Sequence, residues 1–176
     1  AFEGAAAVVA LGKAGSRKMT AGRDLDLMTV YAAAPDAVSA VKGWSADLFF
    51  GRFTQRLIAA LSAHTAEGGL YEVDMRLRPT GSKGPVSVRL EALEEYYATE
   101  AETWEFMALT RGRLVWASDA AFGARVEATL EAALRRPRPG VDVARDVRAM
   151  RDLMDRERRP EQQEPSRLPR RHRHTG

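Results

Sequence analysis

Apolar residues come in short runs along the first third of the chain and at helical spacing further on. Ala5–Leu11 is an unbroken apolar run of strand length and predicts a buried strand. Gly12–Gly22 predicts a turn or short helix, and Asp24–Tyr31 a second strand. Ala32–Ser45, with Pro35 and Gly43, reads as a loop. Within Ala46–Ala63, Leu48, Phe49, Phe53, Leu57, Ile58 and Leu61 recur at helical spacing, which predicts an amphipathic helix packed on a sheet. Leu70–Leu77 alternates: Tyr71, Val73, Met75 and Leu77 face one way, and Glu72, Asp74, Arg76 and Arg78 the other, as on a strand. Pro79 and Thr80–Gly84 make a loop before a short strand, Val86–Leu90. From Glu91 onward the pattern is helical, over Glu91–Arg111, Ala120–Arg135 and Val141–Arg158. The run Arg136-Pro137-Arg138-Pro139-Gly140 separates the last two. Strands and a helix first, then helices, predict an α+β fold.

Length and composition narrow the setting. At 176 residues the chain is long enough for a core of its own. It has no cysteine, so disulfides and thiolate metal sites are excluded, and a reducing cytoplasm is the expected location. No apolar run approaches the roughly 20 residues that span a bilayer, so no membrane is expected. The N-terminus lacks both the positive flank of a secretion signal and an initiator Met, and it leads almost at once into the first strand. A piece of something longer is expected.

The net charge of +3 is unevenly placed. The last 18 residues hold five Arg and two Glu, which leaves 22 cations and 22 anions in residues 1–158. The folded part is therefore neutral, and its charge gives no argument for nucleic-acid binding. The tail reads as disordered.

The candidate chemistry sits where the second strand begins. Asp24 and Asp26 lie two apart on a predicted strand and present both carboxylates to one face, while Leu25 and Leu27 turn to the core. Most Asp-x-Asp pairs are solvated loop carboxylates. Two embedded in apolar sequence repel unless something neutralises them, and a metal is the usual solution. Asp74 completes a three-carboxylate cluster if the strands are neighbours. The glycine turn at Gly12-Lys13 lets backbone N–H groups approach a phosphate, although its Lys follows the first Gly and so does not make a P-loop. Arg76 and Arg78 have two roles open to them, neutralising triphosphate oxygens or pairing with Glu72 or Asp74. Lys83, in its glycine-flanked loop, is either solvated or a phosphate contact. Trp104, Met107, Ala108 and Arg111 share a helical face that reads as core, with Arg111 and Arg113 able to approach a nucleotide.

At this point the residues carry a family resemblance. Gly12, eleven residues, then Asp24-Leu25-Asp26 is similar to the signature of the DNA polymerase β-like nucleotidyltransferases. The stretches VVALGKAGSRKMTAGRDLDLMTVY, FTQRLIAALSAHTAEGGLYEVDMRLRPTGSKGPV and TWEFMALTRGRLV resemble the glutamine synthetase adenylyltransferase family, in its C-terminal nucleotidyltransferase unit, from about Val8 to Met154. The resemblance implies a mixed sheet with packed helices. It implies a catalytic core over residues 1–115, a helical extension over 116–158 leading to a bundle, and a basic tail over 159–176. It further implies Mg²⁺-dependent transfer of AMP from ATP to a tyrosine of glutamine synthetase, under a nitrogen-signalling regulatory protein. Asp24, Asp26 and Asp74 would be the catalytic and metal-binding carboxylates, and Gly12, Lys13, Arg76, Arg78 and Lys83 would bind the nucleotide.

Four positions depart from the family's usual text. Ser16 stands for the second turn glycine, Lys18 for a Glu, Arg23 for the Ser before the carboxylates and Ala32 for an Asp. A catalytically inactive, truncated remnant that at most binds nucleotide or glutamine synthetase is the alternative reading.

Overall fold

In the computed structural model, residues 4–20, 24–40, 42–65, 68–69, 71–140 and 142–158 are described. Backbone contacts divide the chain into one compact unit over residues 1–139 and a second over 140–176. No described helix is long and apolar enough to cross a membrane.

The first unit is built on β1 (Gly4–Ala10) and β2 (Leu25–Ala33), which pair antiparallel from Gly4↔Ala33 to Ala10↔Leu27. Both are apolar on both faces because helices cover the sheet on each side. Along the outer edge of β2 run two short parallel segments in succession, β5 (Val73–Asp74) and β6 (Ser87–Arg89). The free edge of β1 is taken by an antiparallel β7 (Arg113–Ala117), with a register shift between Val8 and Val9. The result is a five-stranded mixed sheet in an α+β fold. A two-residue hairpin, β3 (His64–Thr65) and β4 (Gly68–Gly69), stands apart from it.

One face of the sheet is covered by α2 (Ala46–Leu61), where the spacing predicts it. Phe50 stacks on Tyr31, and Leu57, Ile58 and Leu61 meet Val8, Ala10 and Leu27. A cavity of about 720 Å³ remains on this side, lined by Val8, Leu27, Phe53, Leu57 and Trp116 among others. The other face carries α3 (Leu90–Thr99), α4 (Thr103–Leu109) and α5 (Ala120–Arg135). Leu90, Leu93, Phe106, Leu109, Phe122 and Val126 close over Val9, Met28 and Val30 there. The described residues of the second unit contribute α6 (Val143–Arg158), whose start is capped by Asp142 accepting from the Arg145 N–H at 2.9 Å.

Four sequence expectations are corrected. The single helix over Glu91–Arg111 is two, because the Tyr96 carbonyl takes the N–H groups of both Glu100 and Ala101 and ends α3. Glu102 and Glu105 then form a reciprocal capping box that starts α4. The strand expected over Leu70–Leu77 is only Val73–Asp74 in its described residues, with Leu70 outside them. The Arg76 N–H folds back onto Asp74 Oδ1 at 2.8 Å, and this side-chain turn ends the ladder. The region between the second and third predicted helices holds a strand, β7. Finally, Trp104 is not core: it is 36% exposed and its indole donates to Glu102, while Glu105, Phe106 and Leu109 form the buried face of α4.

One polar cluster ties α2 to the sheet. The Tyr31 hydroxyl donates to Asp47 Oδ1 at 2.5 Å, and Arg89 reaches the same oxygen and the Ala33 carbonyl. Burial, and then Asp47, push the Tyr31 hydroxyl up to about 12, while the Tyr31 hydrogen bond holds Asp47 below its usual range. Tyr31→Phe is expected to cost about 1 kcal/mol at neutral pH, since most of Asp47 stays in water. The signs of the shifts set the pH signature. A depressed Asp47 contributes only above the ordinary carboxylate range and loses this as pH falls through its folded value. A raised Tyr31 contributes below pH 10 and loses this as pH rises towards 12. Melting of wild type and Tyr31→Phe should therefore differ most between pH 5 and 9 and converge at both extremes; a constant gap would refute the assignment.

Candidate active site

The site grows from the junction of β1 and β2. Gly12 opens α1 (Gly12–Gly15), a single turn directly after β1, with φ +51°. The Leu11 N–H donates to the Asp26 carbonyl at 2.9 Å, which fixes this turn to the start of β2. A Cβ added at Gly12 would lie 2.1 Å from Asp26 Oδ2. The glycine therefore serves twice, by its left-handed backbone and by leaving the carboxylate its space.

The neighbouring strand brings in the third carboxylate. β5 runs parallel to β2 with Leu25 opposite Val73 and Asp26 opposite Asp74, and the Leu25 N–H donates to the Glu72 carbonyl at 2.7 Å. Alternation along β2 puts Asp26 on the face of Met28 and Val30, at the sheet's end, and so on the opposite side of the sheet from the apolar cavity; Asp24 immediately precedes the strand. Partial burial raises the Asp26 carboxyl above its usual range, and the charges of Asp74 and then Asp24 raise it further; Arg76 and Lys13 oppose this.

Asp74 is held the other way. Arg76 Nε lies 2.8 and 3.0 Å from its two oxygens and Nη2 lies 2.5 Å from Oδ2, so the guanidinium covers the carboxylate. The hydrogen bonds from Arg76 keep Asp74 below the usual carboxylate range. Among the described residues, no three carboxylates or imidazoles converge on one metal position.

The structure sorts the cations expected at the nucleotide. Lys13 and Arg76 act on Asp26, and Arg76 touches Asp74. Arg78 is buried, and its charge reaches Asp74, but its donors go to the carbonyls of Met75, Gly84 and Pro85. It shapes the loop between β5 and β6. Lys83 is exposed on the 3₁₀ turn Gly81–Lys83 and is not among the charges that move Asp26 or Asp74.

Two residues matter here in ways the sequence pattern does not announce. Arg113 donates to the Gly15 and Ala14 carbonyls, both at 3.1 Å, and so closes the end of α1. Gly15 packs so tightly that an added Cβ would lie 1.8 Å from the Arg111 carbonyl oxygen. Of the positions that depart from the family text, Ser16 donates to the Gly12 carbonyl at 3.1 Å, and Ala32 lies in β2 against the core. Arg23 lies outside the described residues.

The arrangement brings Asp26, Asp74 and the exposed Arg76 guanidinium together beside the Gly12 turn. Comparison with known proteins agrees with the sequence resemblance. The chain is 62% identical over 159 residues to the bifunctional glutamine synthetase adenylyltransferase/adenylyl-removing enzyme of Caulobacter vibrioides, covering 90% of this chain and 16% of that one. The enzymes of the same name from Brucella suis and Agrobacterium fabrum are 50% and 47% identical, over 88% and 90% of this chain. The chain thus spans about 16% of the length of these curated relatives. Among solved structures, a toxin–antitoxin with AMP-PNP aligns over 86% of this chain and 83% of its own at 14% identity and a TM-score of 0.31, too distant a likeness to carry weight. A sequence model of glutamate-ammonia ligase adenylyltransferase matches residues 3–129, and the chain belongs to that family.

Proposed function

We propose that this chain is the nucleotide-handling core of a Mg²⁺-dependent adenylyltransferase that transfers AMP from ATP to a tyrosine of glutamine synthetase in the cytoplasm. The observation that carries the reading is the pairing of Asp26 with Asp74 across β2 and β5, directly beside Gly12. In this reaction the tyrosine oxygen attacks the α-phosphorus of ATP, the bond to the β-phosphate oxygen breaks, and pyrophosphate leaves.

The donor types suit Mg²⁺: Asp74 and Asp24 both press like charge on Asp26, and carboxylates are the hard oxygen ligands this ion takes, although the three do not converge on one position as they stand. Asp24, Asp26 and Asp74 would hold it, and the bound ion would neutralise charge on the phosphates and the reacting oxygens. The Gly12 turn brings backbone close to the phosphates without a side chain in the way. Lys13, Arg76 and, from its loop, Lys83 supply positive charge towards the leaving pyrophosphate, while Arg78 keeps that loop in shape. The tyrosine proton passes to a carboxylate of the cluster, with Asp74 as the proposed acceptor.

The test is transfer of label from ATP carrying ³²P at the α-phosphate to purified glutamine synthetase, with Mg²⁺ and with EDTA. Label that needs the metal is the expected result. ATP binding without transfer to any tyrosine would favour the inactive-remnant reading, and no ATP binding would overturn the proposed function.

A further inference from the structure

Arg76 and Arg78 are two residues apart, yet the turn after Asp74 gives them opposite situations. Arg78 is buried, with its donors fixed on three carbonyls of its own loop. The Arg76 side chain is 74% exposed and lies over Asp74, whose side chain is only 15% exposed, so that the guanidinium is what stands between this carboxylate and solvent. Both Asp74 oxygens are taken: Nε bridges the two and Nη2 adds a second contact to Oδ2. A carboxylate bound in this way has no free face to offer a cation.

We propose that Arg76 is an exchangeable counter-ion of Asp74. It holds the carboxylate while no cation is bound, and it yields when Mg²⁺ enters with the nucleotide, which leaves the guanidinium free to face the phosphates. The proposal rests on the functional reading above. Three features support exchange over a permanent ion pair. The Arg76 guanidinium is largely exposed, so water can take up its donors when the pair opens. Asp74 keeps a separate bond from the Arg76 backbone N–H at 2.8 Å, which orients the carboxylate whether or not the guanidinium is present. Phosphate oxygens offer a guanidinium the same two-oxygen geometry that the carboxylate does, so the displaced group gains a new partner. Cation binding to the nucleotide-free protein is then weakened by the fraction of molecules in which the pair is closed. Binding in the presence of nucleotide escapes that penalty, and the two ligands bind cooperatively.

The experiment is titration of the full chain with Mn²⁺, a paramagnetic substitute for Mg²⁺, with free ion followed by electron spin resonance. Wild type, Arg76→Gln, Arg76→Lys and Asp26→Asn are compared with and without a non-hydrolysable ATP analogue, after thermal melts establish that each variant is folded. Arg76→Gln is expected to bind Mn²⁺ alone roughly threefold to tenfold more tightly than wild type and to lose a similar factor of the tightening brought by nucleotide. Arg76→Lys, which cannot bridge both oxygens, should fall between them. Mn²⁺ binding that depends on Asp26 but is unchanged or weaker in Arg76→Gln would overturn the counter-ion proposal alone. Binding indifferent to Asp26 would overturn the functional reading with it.

Discussion

Asp26→Asn is expected to reduce AMP transfer by roughly 10³-fold or more while leaving the protein as stable as wild type in EDTA, or slightly more so. Asparagine has nearly the same shape, so it occupies the space beside Gly12 without displacing the turn. The backbone bond from Leu11 to the Asp26 carbonyl does not involve the side chain at all. What disappears is one negative charge, pressed between Asp24 and Asp74 in a half-buried position. Without a cation that charge is an electrostatic burden on the fold, whereas in the proposed reaction it would be a metal ligand. Activity and stability should therefore move in different directions. Parallel transfer assays and thermal melts decide the matter. Normal turnover would remove Asp26 from the site, and a large loss of stability would show that the carboxylate is a structural group.

The second large effect falls on the fold. Gly15→Ala is expected to destabilise the first unit by about 3 kcal/mol or more. The added Cβ would lie 1.8 Å from the Arg111 carbonyl oxygen and 2.7 Å from that of Ala10. Both are backbone atoms, and each is tied into structure that cannot shift alone. The Arg111 segment leads into β7, and Ala10 is the last residue of β1. Gly12→Ala makes the contrast. Its Cβ meets the Asp26 carboxylate, a side chain that can rotate away, so the cost to the fold is mainly the left-handed backbone, about 1–2 kcal/mol. Rotation would move the carboxylate out of the cluster, and activity should suffer more than stability. A melting temperature for Gly15→Ala within a degree or two of wild type would show that α1 can move away from the Arg111 segment.

Much of this arrangement is legible in the residues themselves, and the exceptions share a cause. β1, β2, α2 and α5 fall where hydrophobic spacing puts them, because each buries a long apolar face and no local polar group competes. Asp26 falls at the start of β2 for the same reason, and the register of β5 sets Asp74 opposite it. The pattern misleads where a side chain redirects the backbone. Asp74 captures the next N–H but one and cuts its strand short. Glu102 and Glu105 cap each other's turn and divide a helix in two. The alternation over Leu70–Leu77 puts Arg76 and Arg78 on one face with Asp74, but beyond that turn the alternation no longer applies. One arginine ends on the carboxylate and the other inside the loop. β7 is hidden for a different reason: five half-exposed residues carry little periodicity of their own, and they form a strand only because β1 offers an edge.

That edge has a consequence for how the protein is made. β1 meets β2 as soon as the first 33 residues are available, but its other side waits for β7. The bond from the Ala6 N–H to Ser118 Oγ joins residues 112 positions apart. At typical synthesis rates the intervening chain takes roughly 5–20 s to emerge. Throughout that interval the strand carrying Val8 and Val9 presents an unpaired apolar edge, the surface most prone to pair with a neighbouring chain. The last strand to arrive is thus the one that closes the sheet, and the nascent protein is most vulnerable to aggregation just before the ribosome delivers it.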